Sequence, residues 1–140
     1  MKLQKLYRPT GIKELELIAA AGWKYYPPRL DWQPIFYPVL NEQYACQIAR
    51  EWNTGDEFSG YCGIVTSFDI DEAYVSKYTV QNVGSAMHEE LWVPAEELEV
   101  FNSHIAGAIK VVKVFFGDKF VVPDNKEIAE LLLKFQEDDV

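Results

Sequence analysis

His88-Glu89-Glu90-Leu91-Trp92-Val93-Pro94 places an imidazole and two carboxylates directly before an apolar run that a proline closes. Leu91, Trp92 and Val93 have the apolar, β-branched and aromatic character of a buried strand. Pro94 ends it, because a proline brings no N–H to a ladder. Ala95-Glu96-Glu97-Leu98 then opens a helix with acid in its first turn, where the helix dipole favours it. Side chains along a strand alternate between faces, so His88, Glu90 and Trp92 share one side and Met87, Glu89, Leu91 and Val93 the other. The reading expects Trp92 in the core. It also puts Glu90 at the mouth of a core strand, as either a solvated strand end or a placed carboxylate.

The chain around this segment is one domain, residues 1–140, long enough to bury a real core. Nearly half of its residues are apolar, which separates it from disordered chains. A net charge of −9 makes nucleic acid an unlikely partner and argues against acidic membrane surfaces. No apolar run reaches the ~20 residues of a membrane span. Met1-Lys2-Leu3-Gln4-Lys5 leads into no signal-like apolar stretch, so a cytoplasmic protein is expected. Cys46 and Cys62 form no metal-binding pattern. Asp69 and Asp71 lack the other ligands of a calcium loop, so no metal site is expected.

Leu3 to Arg8 reads as a strand broken by Pro9-Thr10-Gly11. Ile12 to Ala21 has helical spacing, and Gly22 suits a left-handed cap. Trp23 to Arg29 is an aromatic, proline-rich loop expected to fold over something. Ile35 to Leu40 is a strand interrupted at Pro38. Asn41 caps a helix from Glu42 to Trp52 with Tyr44, Ala45, Ile48 and Trp52 as its apolar face. Strands follow at Tyr61 to Ile70, Tyr78 to Val83, Ile109 to Phe116 and Lys119 to Val122. An amphipathic helix runs from Asp124 to Phe135. The acidic run Glu137-Asp138-Asp139 reads as a solvated face. Helices early and strands mostly later give an α+β domain.

In that order the segments resemble the ADP-ribosyltransferase fold, whose expected architecture is a central pair of split antiparallel sheets flanked by helices. His88-Glu89-Glu90-Leu91-Trp92-Val93-Pro94 is similar to the family's glutamate strand, with Glu90 in the catalytic position and His88 where a polar residue often stands. Leu6-Tyr7-Arg8-Pro9-Thr10-Gly11 resembles the first strand. Ile35-Phe36-Tyr37-Pro38 resembles the middle segment, although no Ser-Thr-Ser is present. The resemblance covers Leu3 to Phe116 and implies an enzyme with NAD as its substrate. Breaking the bond to nicotinamide gives a cationic, oxocarbenium-like transition state. Glu90 would stabilise it, and His88 would position the incoming nucleophile. Arg8 would hold the diphosphate, with Thr10 beside it. Tyr37 or Tyr7 would supply an aromatic face for the nicotinamide. Arg8 and Glu90 are thus expected to face one cleft. The acceptor is an unknown protein or small molecule. Two other readings stay open: a non-catalytic binding module on the same fold, and self-association through the aromatic loop.

Overall fold

A computed structural model describes residues 1–138. The side chains of the acidic run at Glu137, Asp138 and Asp139 lie outside the described residues. The chain is α+β, with antiparallel sheets and five α-helices among the described residues. No helix there is long and apolar enough to cross a membrane.

The best strand of the sequence becomes the centre of the fold. Cys62–Asp71 (β3) lies between Leu3–Thr10 (β1) and Ile105–Phe116 (β7), antiparallel to both. Both faces of β3 are covered, so nearly all of its residues are buried. The helix Glu42–Glu51 (α2) covers one face through Tyr44, Ala45 and Ala49, packed with Val39 and Val65. Ile12–Ala20 (α1) and Lys126–Asp138 (α5) cover part of the other, around Leu15, Ile64, Val114, Ile128 and Leu132. A third cluster on Leu6, Tyr26, Phe36, Phe68 and Phe101 fills the rest of that face. The aromatic loop does fold over the sheet. Tyr26 is buried in it, and its backbone is clamped by the Asn102 side chain at 3.0 and 2.9 Å.

Beside this sheet stands a broken second ladder. Ile35–Phe36 (β2) pairs with Val93–Pro94 (β6), and Val39 pairs with Glu90 in the same register. Pro38 interrupts the ladder, as an N–H-less residue must. Its carbonyl still accepts from Leu91 N at 2.9 Å. Val39 also bridges to Tyr7 of β1, and Glu89–Glu90 (β5) pairs with Gln81–Asn82 (β4). Val39 therefore links the first strand to the glutamate strand.

Several expectations are corrected. Pro9 and Thr10 do not break β1 but extend it, paired with Val65 and Ile64. Pro9 is tolerated because β1 is an edge strand of its sheet. The strand expected at Tyr78 to Val83 shrinks to β4. Lys119 to Val122 forms no strand, and Val121 is exposed. The final long strand starts at Ile105 rather than Ile109. A bulge opposite Phe68 carries Gly107 at φ +74°, a conformation that suits glycine. The helix expected to open at Ala95 begins as a 3₁₀ turn, Ala95–Glu97, and continues as Leu98–Ser103 (α4). Between β3 and β4, Asp71 caps the short helix Glu72–Val75 (α3).

The alternation in the glutamate segment holds, but its buried side is the opposite one. Leu91 and Val93 are 3% and 0% exposed, whereas Trp92 is 45% exposed. Leu91→Ala is therefore expected to cost about 2–5 kcal/mol in denaturant melts, and Trp92→Ala under about 1 kcal/mol. A larger loss at Trp92 than at Leu91 would overturn this register.

Candidate functional site

One large cleft, of about 980 Å³, opens where β1 leaves the Val39 bridge. Arg8, Pro9, Thr10 and Gly11 line it in succession. Consecutive side chains point to opposite faces, so the cleft borders the edge of β1 rather than either face. Leu17 of α1, Ile48 of α2 with Trp52 at its C-cap, the Pro27–Leu30 loop, and Tyr37 with Trp92 form its walls. Its volume is at the upper end of the ordinary range for small-molecule sites. Exposed Trp32, Trp52 and Phe58 stand around it. Exposed apolar surface of this extent is the kind that marks binding sites.

Glu90 lines the cleft and is held from both sides. Trp92 Nε1 donates to its Oε1 at 2.8 Å, and Tyr44 OH donates to its Oε2 at 3.1 Å. The Trp92 contact comes from strand alternation, which puts residues 90 and 92 on one side. A carboxylate has about four lone-pair positions, so two remain for a ligand hydroxyl. Burial, and then Glu90 itself, push the Tyr44 phenol up to about 12. Tyr44 therefore keeps its proton and stays a donor.

Arg8 lines the same cleft but is not a free cation. Its Nε donates to Glu14 Oε2 at 2.7 Å and its Nη2 to Glu14 Oε1 at 2.9 Å. The guanidinium also lies over the Phe36 ring, 4.6 Å from its centroid. Burial alone would lower its pKa, but the Glu14 charge and hydrogen bond turn the shift upward. Two further cations line the cleft, Lys13 and Arg29, with no carboxylate partner among the described residues. Arg29 is shifted downward by burial and by the nearby Arg8, and its Nε donates to Ile35 O at 3.0 Å.

The other candidates divide. Tyr37 is 40% exposed on the cleft wall. Thr10 is on the wall too, but its hydroxyl is turned inward to Ile64 O at 3.3 Å. Tyr7 is not part of the cleft lining: it packs with the α2 cluster, on the face of the sheet opposite its neighbours Leu6 and Arg8. His88 stands apart from the cleft as well. Its ring stacks on Tyr44 at 4.6 Å, its Nε2 meets Gln47 Oε1 at 2.8 Å, and it is not part of the cleft lining. Nδ1 accepts from Ser85 N at 3.3 Å, so the proton is assigned to Nε2. It supports the rear of Tyr44 instead.

Sequence reasoning missed Glu14, which reaches Arg8 only because the chain turns at Gly11. That turn needs glycine for space. A Cβ on Gly11 would lie 2.4 Å from Ser59 Cα, so the start of α1 is pressed against the loop after α2. It also missed Asn53, Asp56 and Ser59, three polar side chains at the far end of the cleft. No protein-family model, no curated protein and no solved structure matches the chain.

The raised tyrosines give a pH dependence. Tyr26 and Tyr78 are pushed upward like Tyr44, in each case chiefly by burial. A raised pKa means that the folded state holds a proton the unfolded chain releases near pH 10. The stabilisation is complete below that pH and is lost as the pH rises toward 12 and above. Urea melts from pH 9 to 12 should show falling stability, and Tyr44→Phe should flatten part of the fall. A profile unchanged by Tyr44→Phe would mean that this phenol is solvated.

Proposed function

We propose that the chain is an ADP-ribosyltransferase-fold protein that binds NAD in the β1-edge cleft. It transfers ADP-ribose to a protein or small-molecule acceptor and releases nicotinamide. The observation that carries this reading is that Glu90 and Arg8, 82 positions apart in sequence, line one cleft of ligand size. Glu90 accepts a ribose hydroxyl and faces the positive charge that develops as the bond to nicotinamide breaks. Its two neutral donors fix the carboxylate before the substrate arrives. Tyr37 and Trp92 offer aromatic faces beside it. Lys13 and Arg29 supply uncompensated charge for the diphosphate, while Arg8, neutralised by Glu14, shapes the floor and leaves its Nη1 toward Tyr37 O at 3.5 Å.

A second reading rests on that same ion pair. With the Arg8 charge already compensated, the cleft also suits a non-catalytic module that holds its ligand without turnover. Calorimetry with NAD, followed by assay of released nicotinamide, separates the two. Binding with nicotinamide release, with or without added acceptors, supports the transferase. Binding with no release supports the module. No heat of binding at millimolar NAD would remove both.

A further inference from the structure

The apolar rim of the cleft reaches further than the chemistry proposed at Glu90 uses. Trp32 is 72% exposed, Trp52 61% and Phe58 89%, and all three line the cleft. Tyr37, Trp92, Leu17 and Leu30 are exposed around the same opening. A large aromatic carries roughly 150–250 Å² of surface, so the aromatics alone leave on the order of 600 Å² of this rim in water. That is at the top of what a monomer shows, before Leu17 and Leu30 are added. It is close to the ~800 Å² that each side of a stable protein interface covers.

Two of these aromatics stand on braced turns. Trp32 occupies the Leu30–Gln33 turn, closed by Gln33 N donating to Leu30 O at 2.8 Å and Leu30 N to Gln33 Oε1 at 3.2 Å. Phe58 occupies the 3₁₀ turn Glu57–Ser59, where Gly60 N donates to Glu57 O at 2.9 Å and Ser59 Oγ to Asp56 Oδ2 at 2.6 Å. A large side chain on a rigid turn loses little freedom when something covers it. An acid precedes each knob, Asp31 and Glu57, and neither has a cationic partner among the described residues. The cleft beside them holds the reverse. Leu17, Ile48, Pro27 and Pro28 give it an apolar hollow, and its cations Lys13 and Arg29 have no carboxylate partner among the described residues. Knob and hollow, acid and base, therefore occur on one patch. A two-fold axis matches such a patch to itself, which is what an interface between identical copies requires.

We infer that the chain forms a two-fold dimer through this rim, with Trp32 and Phe58 of each copy seated in the cleft mouth of the other. Asp31 and Glu57 of one copy then face Lys13 and Arg29 of the second. Such rim charges fix register and steer the encounter, while the aromatics supply the affinity. The dimer closes both clefts, so a ligand that enters one displaces the aromatics seated there. The interface stands on the rim alone. Its opening by NAD rests on the function proposed above.

The test is sedimentation equilibrium of the full chain from micromolar to millimolar concentration. A monomer–dimer equilibrium with no larger species is expected. Trp32→Ser with Phe58→Ser should weaken association by about tenfold or more, the scale of an interface hot spot. Both positions are exposed, so the urea midpoint of this variant should match that of the wild type. Asp31→Lys with Glu57→Lys sets like charges against Lys13 and Arg29 and should weaken association as well. A monomer throughout, unchanged association in either double variant, or a ladder of larger species would each overturn the two-fold interface. Added NAD should raise the monomer fraction by mass action as it fills the cleft. NAD that binds and leaves the monomer fraction unchanged would overturn the seating of the aromatics in the cleft. A dimer that both variants weaken, in a chain that binds no NAD, keeps the interface and removes the transferase.

Discussion

Glu90→Gln is expected to leave NAD binding nearly intact and to cut nicotinamide release by about 10²-fold or more, the scale of one preorganised electrostatic group. The amide fits the site as it stands. Its oxygen accepts from Trp92 Nε1, which only donates, and its nitrogen donates to the Tyr44 hydroxyl, which also accepts. What disappears is the negative charge that, on the proposed transferase reading, faces the cationic transition state. Glu89→Gln is the matching control, since Glu89 lies on the other side of the strand and outside the cleft lining. It should change release only a few-fold. Isothermal titration gives the binding and a discontinuous nicotinamide assay gives the rate. Equal rates in wild type and Glu90→Gln would end the catalytic assignment. Parallel losses in both variants would point to a disturbed β4–β5 ladder instead of a missing charge.

Local signals carried most of the fold. The Asn41 cap was readable because Asn accepts from an N–H three residues on, and the structure has that bond to Tyr44 N at 2.7 Å. The central strand was readable because Cys62, Ile64, Phe68 and Ile70 recur at every second position as one apolar row. Gly22 stands at φ +74° after α1, where a left-handed cap was expected. The interruption at Pro38 was legible from its missing N–H. Choices between two plausible faces failed. Trp92 is more apolar than its neighbours by size, yet Leu91 and Val93 took the core, and Trp92 turned its indole N–H to Glu90. The same ambiguity placed Trp52 in the core face of α2, where Ala49 is buried instead. No period in the sequence distinguishes an aromatic that fills a core from one that walls a cleft.

The candidate site was legible only as single residues. Arg8 and Glu90 were identified from motif order, but their partners depend on tertiary contact. Glu14 belongs to a helix whose register, read alone, makes it a solvated acid. Asn53, Asp56 and Ser59 carry no local motif, and only the turn after α2 makes them a hydrogen-bond chain. Tyr44 read as helix core and is that, but its hydroxyl also reaches Glu90 across 46 positions of sequence.

The second large effect concerns the Arg8–Glu14 pair, and it should be asymmetric. The Arg8 side chain is 10% exposed and that of Glu14 is 20% exposed. Glu14→Leu removes the counter-charge and leaves a mostly buried guanidinium over the Phe36 ring, where it cannot lose its proton. The expected cost is about 3–5 kcal/mol, the range for breaking a buried pair by removing one partner. Arg8→Met keeps a long stem on Phe36 and leaves Glu14 at the wall of an open cleft, where rotation about its side chain brings it to solvent. That loss should stay near 1 kcal/mol. The double variant Arg8→Met with Glu14→Leu should recover most of the Glu14→Leu loss, because two matched apolar groups leave no orphaned charge. Urea melts of the four proteins close the cycle and give the coupling directly. Losses of similar size in the two single variants, adding without coupling, would mean that water already solvates the pair. Arg8 would then be free to meet a diphosphate, and the division of roles between it, Lys13 and Arg29 would have to be reversed.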